Sequence, residues 1–107
     1  MALFGNSATI TEIHREIGII NDYIRKMESN INNNRGVNFD NVETIASYFI
    51  EIVQHQQKTQ VLMDKLSDRE LRNLTLSWTD GRYLPFHMWN ASYLLIMNKI
   101  KNELEKF

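Results

Sequence analysis

The sequence predicts an all-α fold: a small antiparallel bundle of three long helices and one short one. Three observations lead there. Apolar residues recur at helical spacing through most of the chain. Clusters of Asn, Gly and Asp-Gly divide it into segments. No stretch alternates apolar and polar residues with period two, so no sheet is expected.

The first helix is predicted over residues 9–32. Ile10, Ile13, Ile17, Ile20, Ile24, Met27 and Ile31 are spaced 3, 4, 3, 4, 3, 4, which keeps them on one helix face. Thr9 and Glu12 have the spacing of a capping box. Gly18 lies inside this helix at a cost of up to about 1 kcal/mol relative to Ala. Its missing side chain suggests close approach by a neighbouring helix. Asn32-Asn33-Asn34-Arg35-Gly36 then reads as a turn, because Asn and Gly accept positive φ.

A second helix is predicted over 40–66, with Asp40 and Glu43 as its capping pair. Its core stripe is Val42, Ile45, Phe49, Ile52, Gln56, Thr59, Met63 and Leu66, with Gln56 and Thr59 where apolar residues belong. A short connection makes these two helices antiparallel neighbours. Ser67 and Glu70 form a further capping box, flanked by Leu66 and Leu71 as a hydrophobic staple. A short third helix over 68–77 follows, using Leu71, Leu74 and Trp78; a single kinked helix from 40 to 77 is the alternative. Thr79-Asp80-Gly81-Arg82 is the second turn. The last helix, over 85–106, opens on Pro85. Its stripe is Trp89, Tyr93, Ile96, Ile100, Leu104 and Phe107, and Lys99, Lys101 and Lys106 suit its C-terminal dipole.

The 107 residues suit one domain, 1–107. With 43% hydrophobic and 23% charged residues, the chain has an ordinary globular composition and needs no staples to close a core. It has no cysteine, which excludes disulfides, thiolate metal centres and cysteine nucleophiles. Met1-Ala2-Leu3-Phe4-Gly5-Asn6 lacks the basic and apolar blocks of a signal peptide. No apolar run approaches the roughly 20 residues that span a bilayer. A cytoplasmic protein without membrane contact is the expectation. Ile and Asn each occur twelve times, a bias common in AT-rich bacterial and phage genes.

Few residue patterns carry chemistry. His14, His55 and His87 fall one on each long helix, but Glu-x-x-His, His-x-x-x-His and His-Glu-x-x-His are all missing, so no metal and no cofactor are expected. Glycine-rich phosphate loops and serine-nucleophile motifs are missing too. His14-Arg15-Glu16-Ile17 with Asn21-Asp22 resembles the opening helix of the small helical chorismate mutases. The basic residues such a site needs at later positions are not evident, and no role is carried over. In size and helix count the chain also resembles the four-helix bacterial immunity proteins. With a formal charge of −1 spread evenly along the helices, no basic face is available for nucleic acid.

Two constellations remain. Trp78, Arg82, Tyr83, Phe86, His87 and Trp89 gather around the second turn, and Trp, Tyr and Arg are enriched at binding hot spots. A stripe of helix 1 widened by Ile19 is the second candidate surface, and a symmetric dimer through it is compatible with the pattern. The polar run from Gln54 to Gln60 interrupts the apolar stripe of helix 2. Its residues His55, Gln56 and Thr59 form a buried register-fixing layer, a ligand pocket, or a merely exposed stretch. The expectation is a non-catalytic protein that binds another protein, as an adaptor, inhibitor or immunity-type protein. The alternative is a small-ligand-binding or catalytic bundle built on the polar layer.

Overall fold

A computed structural model describes residues 6–107 of the chain. The segment Met1 to Gly5, in which no leader pattern was read, lies outside the described residues. The element order is α1 (Ser7–Asn33), α2 (Val42–Met63), α3 (Asp68–Asn73), β1 (Thr75–Ser77), β2 (Tyr83–Pro85) and α4 (Phe86–Leu104). The fold is all-α apart from one small antiparallel hairpin.

The heptad seam of α1 is its buried face. Ile13, Ile17, Ile20, Ile24 and Met27 are fully buried, while Ile10 and Ile31 at the two ends pack partly against the core. α1 begins at Ser7, so Thr9 sits inside it and forms no cap. Gly18 does not serve close packing: a β-carbon added there would meet nothing within 4 Å.

The turn after α1 follows from its asparagines. Gly36 N–H donates to Ile31 O at 2.8 Å and Arg35 N–H to Asn32 O at 3.4 Å, the paired bonds of a Schellman ending. Arg35 carries a positive φ of 57°, a conformation that Gly adopts more easily. Asn41 is buried. Its Nδ2 donates to Asn30 Oδ1 at 3.1 Å and Gly36 O at 2.9 Å, and its Oδ1 accepts from Asn38 N–H at 2.7 Å. The cap expected from Asp40 is thus replaced by Asn41, which holds the turn rather than the helix end.

α2 returns antiparallel to α1 and stops at Met63, so the continuous helix to residue 77 does not form. Ser67 and Glu70 make the expected capping box. Asn6 joins it: its backbone N–H donates to Glu70 Oε2 at 3.3 Å, and its Nδ2 to Glu70 Oε1 at 2.9 Å and Lys65 O at 3.2 Å. The start of α1 is thereby fastened to the start of α3.

The expected third helix ends at Asn73 rather than 77, and residues 75–77 are a strand. Thr75, Leu76 and Ser77 pair with Pro85, Leu84 and Tyr83. Leu76 and Leu84 face the core and Thr75, Tyr83 and Pro85 are exposed, while half-buried Ser77 accepts from Asn21 Nδ2 through its hydroxyl at 3.2 Å. Gly81, at φ 88°, closes the connecting turn, with Trp78 N–H donating to Arg82 O at 2.8 Å. Pro85 belongs to β2 and precedes α4, whose first helical residue is Phe86.

α4 starts beside the middle of α1 and ends at the α1–α2 turn, where Phe107 meets Phe39 edge to face at 5.1 Å. It therefore runs in the direction of α1. The assembly measures 53 × 22 × 18 Å with a radius of gyration of 15.4 Å, against about 13 Å for a chain of this length. So elongated a shape is thin, and α4 keeps an open outer side.

Candidate functional site

The corner between β1, β2 and α4 separates the six residues singled out there. Trp89 is 1% exposed and belongs to the core, so it is not a surface contact. Its ring stacks on Tyr93 at 5.3 Å, and its Nε1–H donates to Ser77 O at 3.0 Å. Burial pushes the Tyr93 phenol up to about 12, because the ionised ring would lose its hydration. Trp78 lies half-buried, edge-on to Trp89 at 5.8 Å. Phe86 is also half-buried against the core. Arg82, Tyr83 and His87 are exposed. The Arg82 Nε–H donates to Asp80 Oδ2 at 2.6 Å. The backbone N–H of Arg82, first, and its guanidinium hold the Asp80 carboxyl below its usual range.

Beside this corner lies a groove of about 720 Å³ that the sequence reading missed. Trp78 forms one end, and Ser92, Leu95, Ile96, Lys99 and Asn102 of α4 continue it. Leu95 is 76% exposed and Met88, one turn before Ser92, is 48% exposed. The available signal was the double Leu94-Leu95 beside the core stripe, one apolar residue more than a single packed face needs. Ile19, the surplus residue noted on helix 1, is only half-exposed.

The polar run of α2 is resolved differently. Nδ1 of His55 lies 2.5 Å from Oε2 of Glu16, a contact that needs a proton between the two atoms. The Tyr23 ring stacks on the imidazole at 6.2 Å, and Glu51 Oε2 stands 3.9 Å from Nε2. Thr59 is buried, and its hydroxyl donates to His55 O at 2.9 Å. Gln56 is half-buried. The pair joins α1 to α2 across 39 residues of sequence. Glu16 enters the sequence reading only within His14-Arg15-Glu16-Ile17, with no role assigned to it. Its place one residue before the core position Ile17 puts it on the edge of the seam, and the packing of α2 against that flank is what buries it.

His14 is exposed beside a cleft lined by Ile10, Arg69, Asn73 and Thr75. Among the described residues no three His, Asp or Glu side chains gather as a metal site, and no helix is long and apolar enough to cross a membrane. No family model matches the chain, and no curated protein or solved structure matches it either.

Proposed function

We propose that the chain is a non-catalytic protein-binding module whose docking surface is the groove between Trp78 and the outer face of α4. The observation that carries this reading is the exposure of Leu95 beside an apolar groove. Leu95 does not stand alone: Met88, seven residues earlier and so on the same face of α4, is 48% exposed, and grouped apolar surface of this kind marks interaction sites. The occupant that fits is an amphipathic helix of another protein. From Ser92 to Asn102 the groove runs about 15 Å, or roughly three helical turns, enough for anchors at i, i+3 or i+4 and i+7. Lys99 is the charged residue lining it and has no acidic partner among the described residues, whereas Arg82 is already bound to Asp80. A partner helix with carboxylates flanking its apolar anchors is complementary to that rim.

Leu95→Asp tests the reading with little risk to folding, because the side chain is already largely in water. It should abolish the interaction, and Lys99→Glu should weaken it. Gln56→Leu, away from the groove, should leave it intact. Binding that survives Leu95→Asp, with circular dichroism unchanged, overturns the proposal. A second copy of the chain in the groove would show instead as a dimer in light scattering that Leu95→Asp dissolves.

A further inference from the structure

The Glu16–His55 pair leaves one oxygen of a buried carboxylate without a hydrogen bond among the described residues. Glu16 is 5% exposed. Its Oε2 is taken by His55, but Oε1 has no hydrogen-bond partner among the described residues. The nearest cation, Arg15 Nη2, stands 3.9 Å away, beyond hydrogen-bond range, and is bound to Glu12 at 2.7 Å. The one sealed side-chain atom without a partner among the described residues is Asn21 Oδ1, so Oε1 keeps some contact with solvent. Glu16 lines a cleft of about 320 Å³ with Glu12, Lys58, Val61 and Leu62.

We infer that this cleft is a binding site for a guanidinium or ammonium group carried on a short apolar stem. A largely buried carboxyl with one oxygen fixed by a histidine offers a pre-oriented acceptor of restricted hydration. There a charge-assisted hydrogen bond is about twice as strong as a neutral one. Glu12 also lines the cleft, but Arg15 holds both of its oxygens, so Glu16 Oε1 is the acceptor the site offers. Leu62 and the exposed Val61 supply an apolar wall against which methylenes can lie. The volume suits one small side chain or alkyl cation, at the lower end of ligand pockets. Lys58 lines the same cleft without an ion pair to either glutamate among the described residues, so its ammonium opposes an incoming cation. Glu16 and Asn21 lie about 140° apart around α1. The cleft is thus on a different flank from the hairpin, and the inference is independent of the α4 groove.

Titrating the whole protein with butylguanidinium and following amide resonances tests it. Saturable shifts should appear at residues 12–16 and 58–62. Butylammonium should bind at the same place, and butanol, which has no charge, should not. Glu16→Gln should weaken binding about tenfold, the worth of one charged hydrogen bond. Lys58→Met, at an exposed position, should tighten it several-fold by removing the competing charge. That variant decides the question if Glu16→Gln folds poorly. A short peptide with a single arginine separates the two sources of such a group. Tighter binding than butylguanidinium identifies a partner's side chain as the ligand, and weaker binding identifies a free small cation. No saturable shift with butylguanidinium, or the same affinity in wild type and Lys58→Met, overturns the inference.

Discussion

Asn21 of α1 and Trp89 of α4 donate to one acceptor, the carbonyl oxygen of Ser77, from Nδ2 at 2.7 Å and Nε1 at 3.0 Å. This is where three elements meet. In the antiparallel hairpin, Trp78 N–H bonds Arg82, so the alternation of the ladder turns the Ser77 carbonyl outward. The Ser77 carbonyl on the unpaired edge of β1 is satisfied from α1 and from α4, which fixes where α4 begins and hence where its outer face points.

The shared acceptor makes the two donors redundant. Asn21→Ala alone should cost about 1–2 kcal/mol, because Trp89 still serves the carbonyl. Trp89→Phe keeps most of the ring and should cost a similar amount. The double variant leaves a part-buried carbonyl without a donor and should cost about 1 kcal/mol more than the sum. Urea denaturation of the four proteins measures that coupling, and strict additivity would show that the bonds act separately.

Two backbone positions are poorly matched to their residues. Gly18 lies mid-helix with open space around it. Gly18→Ala should therefore raise stability by about 1 kcal/mol. Arg35 has φ 57° at the end of α1, so Arg35→Gly should also stabilise, by up to about 1 kcal/mol. Thermal melts of both variants check the direction. A lower Tm for Gly18→Ala would show that something does pack there.

The Ser67–Glu70 box should lose its hold in acid. The Ser67 backbone N–H first, then the Asn6 side chain, hold the Glu70 carboxyl below its ordinary value of 4.5. A depressed carboxyl stabilises the fold above its unfolded value and stops doing so as pH falls through its folded one. The stability gap between wild type and Glu70→Gln should therefore be present at neutral pH and close below pH 4.5. Ser67→Ala should cost about 1 kcal/mol at neutral pH. Urea midpoints across this range read both effects.

At the alkaline end Tyr93 sets the limit. Its phenol rises from 10.0 to about 12 on burial. Below pH 10 it is neutral in both states and stability is intact. Above that the unfolded chain ionises first, and stability falls until the folded phenol ionises too. Absorbance of tyrosinate should show a late component that Tyr93→Phe removes, and that variant should keep more of its stability between pH 10 and 12.

Much of this architecture was legible because helical spacing is a strong physical signal. The α1 seam names the five fully buried apolar residues of that helix, though not Asn21, and Ser67 with Glu70 announces the start of α3. The hairpin was missed because its strands have three residues each, too few for alternation to show. Asp80-Gly81 between them was nevertheless a hairpin-type turn. The Glu16–His55 contact was not legible, since the rotational phase between two helices is not written in either one. At the corner, sequence gathered six residues that the fold divides. Trp89 went inward because its indole N–H found the Ser77 carbonyl, and the exposed apolar surface moved to Leu95.

The most direct test of the proposed function is a photo-crosslinking amino acid placed at position 95 in cells that make the protein natively, with position 47 on α2 as the exposed control. The account predicts one adduct at 95, none at 47, and a lower yield of the adduct when Lys99→Glu is added. Adducts of equal yield at both positions, or none at 95, would contradict the assignment of this groove as the binding surface.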